Sequence, residues 1–201
     1  MLLLVGLGNP GPNNTNNRHN IGWKIIDAIN LEFKLSKQKP KFKGLLTTGN
    51  IDSKKVYAIK PLTFMNNSGT AIKELIDYFK IDVKNVIVFH DDMDIDFGKV
   101  KAKIGGGSAG HNGIESIDKF IGKDYSRVRI GIGHPKEKTK VNSHVLEDFK
   151  EDEEEKIQEI TNNIVKLIPT LIEKKIDLFS SKVNQNLNGI YVWNCWFTEC
   201  G

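Results

Sequence analysis

The stretch Leu2-Leu3-Leu4-Val5-Gly6-Leu7-Gly8-Asn9-Pro10-Gly11 carries an apolar run straight into a loop rich in glycine. A short apolar run bounded by turn residues is typical of a strand buried on both faces. Val86–Phe89 repeats the pattern and opens into His90-Asp91-Asp92. Segments with a helical period separate such strands, at 19–33, 66–79 and 112–121. The chain is therefore predicted to be a single α/β domain, with helices on both faces of a twisted mixed sheet that is mostly parallel.

The second half of the chain shows two further patterns. Lys99–Ile104 and Arg127–Ile132 alternate polar and apolar residues, which predicts half-exposed strands. From about Val141 to Phe179 the pattern is helical, with a break expected near Pro169.

The distribution of charge gives a first indication of a partner. The net charge is only +4, but basic residues are in excess up to about residue 146 and acidic residues after it. A basic body fits a polyanionic partner that docks on one face. A lysine-rich background composition would explain the same numbers.

Several classes of protein are disfavoured. The first apolar run is too short for a signal peptide, and no run approaches the length of a transmembrane helix, so we expect a cytoplasmic protein without membrane contact. The two cysteines, Cys195 and Cys200, form neither a disulfide framework nor a zinc site by themselves.

The first glycine loop, Gly6–Gly11, matches the dinucleotide-binding pattern G-x-G-x-x-G, which would suggest a nucleotide-dependent oxidoreductase. In that motif a helix begins within the glycines and its N-terminus holds the pyrophosphate. Pro10 and the polar run 12–17 instead predict a loop, and Asp27, the acidic residue at a comparable distance, falls inside a predicted helix. We therefore disfavour nucleotide binding.

Two polar sites remain as candidates for chemistry. His19 lies near a helix start, where a histidine is commonly a cap or surface residue, whereas Asp91 follows a buried strand at the place where α/β sheets position ligands. A divalent-cation site is the alternative for the acidic cluster, although a calcium loop would need a glycine at its sixth position and a distal glutamate. We favour one inward carboxylate and solvated neighbours among Asp91, Asp92, Asp94 and Asp96.

A second glycine-rich loop, Gly105–Gly113, lies between a lysine-bearing strand and a predicted helix. Such a loop lets backbone amides meet phosphate, but it also fits a turn that needs positive φ angles. It is not a Walker loop, since Gly-Lys-Ser/Thr is missing.

Taken together, six blocks resemble the bacterial-type peptidyl-tRNA hydrolase family over Leu3 to about Ser180. They begin at residues 8, 18, 63, 90, 105 and 129 and read Gly-Asn-Pro-Gly, Arg-His-Asn, Thr-Phe-Met-Asn, His-Asp-Asp-Met-Asp, Gly-Gly-Gly-Ser-Ala-Gly-His-Asn-Gly and Arg-Ile-Gly-Ile-Gly-His-Pro. The alternative of a catalytically silent RNA-binding relative is disfavoured, because His19 and Asp91 are both present.

The resemblance implies hydrolysis of the ester between a peptide and the 3′-terminal ribose of tRNA. It makes His19 the general base that activates water and Asp91 the carboxylate that orients the imidazole. Asn9 would act in catalysis and help to distinguish N-blocked peptidyl-tRNA from aminoacyl-tRNA. The implied substrate-binding residues are Asn14, Phe64, Met65, Asn66, His111 and Asn112, with Phe64 and Met65 as an apolar wall beside the peptide.

The resemblance also implies that Lys103 and Arg129 contact tRNA phosphates near the acceptor stem. From the alternating pattern we expect Lys101 and Arg127 to add to this positive field. The implied partner is peptidyl-tRNA, bound through its acceptor stem and 3′ end. We expect no cofactor, no metal, no obligate protein partner and a monomer.

Two departures from the family pattern stand out. Asn14 occupies a position that is commonly aromatic, which leaves the grip on the 3′ end open, and Asn17 stands where threonine is frequent. The domain is expected to span residues 1–188, followed by an atypical tail, residues 189–201, of unknown role.

Overall fold

The computed structural model describes residues 1–135 and 141–187, so the predicted tail at 189–201 lies outside the described residues. Seven strands form one sheet. They are β1 (Leu2–Gly6), β2 (Lys39–Lys41), β3 (Gly44–Ile51), β4 (Lys54–Pro61), β5 (Val86–Asp92), β6 (Val100–Ile104) and β7 (Ser126–Gly131). The α-helices of the described residues are α1 (Ile21–Glu32), α2 (Ser68–Phe79), α3 (Asn112–Ile121), α4 (Val141–Leu146), α5 (Glu151–Lys166), α6 (Ile168–Ile172) and α7 (Ile176–Leu187).

The strand order is β2-β3-β4-β1-β5-β7-β6, which confirms a single mixed sheet. The four central strands, from β4 to β7 in this order, pair in parallel, and the three outer pairings are antiparallel. Parallel pairing is therefore a property of the centre rather than of most of the sheet. One reason is the tight turn at Phe42 and Lys43, both with φ 53°, which forces β2 and β3 into an antiparallel hairpin.

Helices cover both faces of the sheet, as predicted. On one face Leu4 and Phe89 pack against residues such as Ile25 of α1 and Ile160 of α5. On the other face Leu3 and Val88 pack against residues of α2 and α3, among them Leu75 and Ile117. Successive residues of β1 and β5 thus bury opposite sides, which explains why both strands read as continuous apolar runs.

The predicted elements are mostly found, but several differ in extent; α1 and α2, for example, each begin two residues later than predicted. β5 continues three residues past Phe89, because His90 and Asp91 pair with Arg129 and Ile130 of β7. The predicted helical segment 141–179 is divided into α4 to α7; Pro169 lies in the first turn of α6, where a proline is tolerated.

Helix α1 approaches the sheet very closely at Gly22. A Cβ atom there would overlap the backbone of Leu7 and Phe89, so only glycine permits this packing. The close approach places the turn that precedes α1, Arg18–Asn20, at the carboxyl end of β1 and β5. In the described part of the chain no helix is long and apolar enough to span a membrane.

Candidate active site

A cavity lies where the carboxyl ends of the parallel strands meet, at the edge at which α/β folds bind ligands. Three elements supply its polar lining: His19 comes from the turn before α1, Asp91 from β5, and His111 from the residue before α3. Asn112, the first residue of α3, completes this part of the lining. The structure thus brings together four of the predicted site residues.

His19 and Asp91 form a buried hydrogen-bonded pair. The His19 Nδ1 to Asp91 Oδ1 distance is 2.8 Å, and the two side chains are 9% and 2% exposed. A carboxylate only accepts hydrogen bonds, so Nδ1 of His19 carries the proton and Nε2 keeps its lone pair. The ring is therefore held in the tautomer that a general base requires.

The electrostatics of the pair favour an ionised carboxylate and a basic imidazole. Burial raises the pKa of Asp91, but the charges and hydrogen bonds of His19 and His111 outweigh it and hold that pKa far below its usual value. Burial lowers the pKa of His19, yet the charge of Asp91 and its hydrogen bond leave that pKa above the usual 6.5. Asp91 thus makes His19 a stronger base than a free imidazole.

His111 is tied to the same carboxylate. Its Nδ1 accepts hydrogen bonds from the backbone N–H of Gly113 at 3.1 Å and of Ile114 at 3.3 Å, so it caps α3. The ring proton therefore resides on Nε2, which donates to Asp91 Oδ1 at 3.0 Å. One oxygen of Asp91 thus accepts from both histidines, a link that the predicted substrate-binding role of His111 did not include.

Asn9 is held by its own backbone and by its side chain. Its N–H donates to Asn20 Oδ1 at 2.8 Å, and Asn20 Nδ2 donates back to the Asn9 carbonyl at 2.9 Å. Its Oδ1 accepts from the N–H of Met65 at 2.8 Å. The oxygen is therefore engaged within the protein, and among the described residues Nδ2 of Asn9 has no hydrogen-bond acceptor. Asn20 was missed by the sequence reasoning, although it lies in the Arg-His-Asn block.

The remaining predicted substrate residues divide into exposed and buried ones. Phe64 is 67% exposed and Asn66 is also exposed; both lie on the turn beside Asn9, and neither lines the cavity. Met65 is only 4% exposed and packs in the core with Leu7, so its side chain does not form an apolar wall. Its backbone N–H, which holds Asn9, is the part of Met65 that faces the site.

Asn14 uses its side chain within its own loop. Its Nδ2 donates to the Pro10 carbonyl at 2.8 Å, and its Oδ1 accepts from Asn17 Nδ2 at 3.2 Å. The two residues that depart from the family pattern therefore form a hydrogen bond with each other.

Helix α1 begins only at Ile21, so the glycine loop before it lacks the helix N-terminus of a dinucleotide site.

The turn that carries His19 rests on the C-terminal helices. Arg18 Nη2 lies 2.7 Å from Glu153 Oε2 of α5, and its guanidinium stacks 4.9 Å above the ring of Phe149. The Arg18 N–H also donates to the carbonyl of Glu147 at 3.0 Å. The position of His19 thus depends on contacts more than 125 residues away in sequence.

Comparison with known proteins agrees with this geometry. The family model described as peptidyl-tRNA hydrolase matches residues 3–189. The chain belongs to the peptidyl-tRNA hydrolase family. The resemblance drawn from the six sequence blocks is thereby confirmed.

Relatives within the peptidyl-tRNA hydrolase family match over almost their whole length. The chain is 72% identical over 184 residues to the peptidyl-tRNA hydrolase of Pelagibacter ubique, which covers 92% of this chain and 99% of that protein. It is 46% identical to the enzyme of Bartonella henselae, over 92% and 96% of the two chains. A crystal structure of peptidyl-tRNA hydrolase from Acinetobacter baumannii superposes with a TM-score of 0.86 at 32% identity, covering 92% of this chain and 94% of that one.

In this member of the peptidyl-tRNA hydrolase family the basic residues beside the cavity differ in exposure. Arg129 is 18% exposed and its Nε lies 2.7 Å from Asp92 Oδ2, while Lys103 is partly exposed. Burial lowers the pKa of Lys103, and the charges of Arg129 and Arg127 lower it further, while the charges of Asp92 and Asp118 partly offset them. Lys101 is exposed, and its contribution to binding stays a prediction.

Arg127 contributes positive charge at Lys103, but its guanidinium is covered by protein rather than open to a ligand. Its side chain is 1% exposed, and its guanidinium donates to the carbonyls of Gly106 and Gly107 and to Asp118. The alternating pattern placed it correctly on the same face as Arg129, but the glycine-rich loop and α3 cover it.

The acidic cluster does not form a cation cage. Asp91 binds two imidazoles, and Asp92 is 8% exposed and pairs with Arg129, so the expectation that Asp92 is solvated is also wrong. Asp94 and Asp96 are exposed, as predicted. Among the described residues, the metal-ligating atoms that do lie within 4.8 Å of one another belong to His19, Asp91 and His111, where hydrogen bonds already account for the grouping.

Proposed function

We propose that this protein hydrolyses the ester between a peptide and the 3′-terminal ribose of tRNA, with His19 as general base and Asp91 as its orienting partner. The observation that carries the proposal is the 2.8 Å hydrogen bond from His19 Nδ1 to a buried Asp91, which leaves Nε2 as an acceptor at the cavity. The family membership supports the substrate.

The chemistry follows from that geometry. Nε2 of His19 removes a proton from water as the water oxygen attacks the ester carbonyl. The imidazolium that forms is stabilised by the ionised Asp91, and it returns the proton to the 3′ oxygen of the ribose as the ester bond breaks. Water replaces the serine of a protease triad, and no covalent intermediate with the protein is needed.

Amide donors would complete the site. Two donors are suited to bind the peptide carbonyl or the oxyanion that develops on the ester. One is Nδ2 of Asn9, which has no acceptor among the described residues, and the other is the side chain of Asn112, which lines the cavity. The rigidity of Asn9 matters, because a donor that is fixed before the reaction costs no reorganisation in the transition state. Asn9 is fixed by three hydrogen bonds, to Asn20 and Met65.

The tRNA would bind through its backbone. Lys103 and Arg129 provide positive charge beside the cavity, and phosphate contacts carry little sequence information, which suits an enzyme that must accept many tRNAs. We place this activity in the cytoplasm, where translation occurs. We also propose that the active form is a monomer.

The test compares N-blocked with unblocked aminoacyl-tRNA as substrates. We expect rapid release of the amino acid from the blocked substrate only, and a loss of about 10²–10⁴-fold in kcat for His19→Ala, the typical contribution of a general base. His134→Ala is the control, since His134 is an exposed histidine outside the cavity lining. Equal cleavage by wild-type and His19→Ala protein would contradict the proposal.

A further inference from the structure

Arg127 and Arg129 occupy the same face of β7 but different environments. Arg127 lies opposite Lys103 in the antiparallel pair with β6, and Arg129 lies opposite Lys101. Arg129 remains partly exposed, whereas Arg127 is 1% exposed beneath the glycine-rich loop. The two arginine side chains are therefore available for different interactions: Arg127 for contacts within the protein, and Arg129 also for contacts with a ligand.

The guanidinium of Arg127 joins the loop to helix α3. It donates to the carbonyls of Gly107 at 2.9 Å and Gly106 at 3.1 Å, and to Asp118 Oδ1 at 2.7 Å. The same carboxylate oxygen accepts the hydroxyl proton of Tyr125 at 2.7 Å. The guanidinium of Arg127 is covered and paired with Asp118, so it is not open to a ligand, whereas Arg129, although paired with Asp92, remains partly exposed.

The direction of the two carbonyls decides where the loop amides point. In a trans peptide the C=O and N–H bonds lie on opposite sides, and no peptide bond among the described residues is cis. The carbonyls of Gly106 and Gly107 point at Arg127, so the N–H groups of Gly107 and Ser108 point away from it. Within the described ranges, neither N–H donates to a protein acceptor.

The amine of Lys103, a residue of β6, packs against the same part of the loop. A Cβ atom added to Gly106 would come within 2.7 Å of Lys103 Nζ, so the amine packs against this glycine. Gly106 has φ 95° and Gly105 has φ 67°, backbone conformations that bring the chain round next to the amine. Unpaired backbone amides beside an ammonium group are suited to bind an anion.

We propose that Arg127 is a positioning residue that builds a phosphate subsite from the amides of Gly107 and Ser108 together with the amine of Lys103. The inference rests on the proposed function, since the ligand is a phosphate of the tRNA acceptor stem. Arg127 does not contact that phosphate. Arg127 instead holds the loop so that the amides of Gly107 and Ser108 face the phosphate.

The first experiment observes the amides directly. An RNA hairpin with an acceptor stem and a CCA end, carrying no peptide, is titrated into isotope-labelled wild-type protein and followed by amide NMR. We expect the Gly107 and Ser108 proton resonances to move downfield, as amides do when they donate to phosphate. If neither resonance moves at saturation, the inference is wrong, even when the protein hydrolyses its substrate normally.

The second experiment uses the two arginines as a matched pair. Arg127→Met and Arg129→Met each remove one charge from the same strand face. For Arg129→Met we expect the slope of log KM against log salt to fall by about 1, the signature of one lost phosphate contact. For Arg127→Met we expect KM to rise about tenfold with the slope nearly unchanged, because hydrogen bonds rather than ion contacts are lost.

Two further outcomes sharpen this comparison. Arg127→Lys should behave like Arg127→Met, because an ammonium cannot reach two carbonyls and a carboxylate in a fixed fork. A slope for Arg127→Met that falls as far as that for Arg129→Met would mean that Arg127 binds phosphate itself, and would overturn the inference. Where Arg127→Met fails to fold, Arg127→Lys takes its place in this comparison, and the wild-type titration tests the amides independently.

Discussion

The cavity and the basic surface beside it, formed by Lys103 and Arg129, differ in burial and in the kind of interaction they make. His19, Asp91 and His111 are almost completely buried, and each ring nitrogen that touches Asp91 has a fixed proton. Lys103 and Arg129 lie closer to solvent and interact with nearby charged groups, and no particular position of a ring proton is required there. Proton transfer needs a geometry that water cannot disturb, whereas binding a long polyanion needs charge that can be reached. Variants in the two regions should therefore fail in different ways.

The largest effect is expected from Asp91→Asn. The amide oxygen can still accept from His19 and His111, so the geometry is kept, but the negative charge that raises the pKa of His19 is lost. We expect kcat to fall about 10²–10⁴-fold, with KM for the tRNA little changed. Single-turnover kinetics on N-blocked aminoacyl-tRNA measure this, and a variant impaired only in KM would remove the distinction between the two regions.

The next effect concerns the amide donor. Asn9→Ala should lower kcat about 10²–10³-fold, the usual cost of one lost oxyanion donor. Asn20→Ala should cost less, about tenfold, since it loosens the backbone of Asn9 without removing the donor. Steady-state kinetics on both variants test this order. If Asn20→Ala were the more damaging change, Asn20 rather than Asn9 would be the residue in contact with the substrate.

The basic surface should give a smaller effect, confined to binding. The double variant Lys103→Ala/Arg129→Ala is expected to raise KM at least tenfold and to lower its salt slope by about 2, one for each phosphate contact. The kcat at saturating substrate should stay within a factor of about 3, because neither side chain contacts the pair that moves the proton. An unchanged KM and salt slope would rule out phosphate contact by these residues.

The smallest effect is a shift in the pH dependence of kcat/KM. Activity needs neutral His19, and the pKa of this group lies above 6.5, so the acid limb of kcat/KM should fall at a higher pH than for a free imidazole. The sign for stability is opposite: the raised pKa stabilises the fold below the pKa of the unfolded chain, and this contribution is lost as pH rises through the folded value. Asp91→Asn should move the acid limb to lower pH.

Much of the fold could be predicted because local patterns determine it. Helix α3 has the predicted bounds, and the two central strands β1 and β5 are where continuous apolar runs placed them. Asp91 could be singled out because strand ends meet at one edge of a parallel sheet. The break near Pro169 is also predicted correctly, and it lies between α5 and α6. The other divisions of the C-terminal helical segment are not, since the apolar period alone does not show where the chain must turn back.

The partners of individual side chains lay beyond the sequence for a physical reason. Alternation places Arg127 and Arg129 on one face, but only the packed loop and helix decide which of them is covered. The dual role of His111, at the helix cap and on Asp91, depends on contacts between elements far apart in the chain. Met65 fits both a core and a substrate surface by residue type, and its neighbours in space settle its burial.

The dependence of the His19 turn on α5 bears on how the protein is made. Arg18 meets Glu153 across 135 positions of sequence, so the turn gains its support only once Glu153 has left the ribosome. Until then the growing chain is itself a peptide esterified to tRNA, and His19, the proposed general base, lacks the contacts that hold its turn in place. We therefore expect a nascent chain that stops before α5 to leave such esters intact.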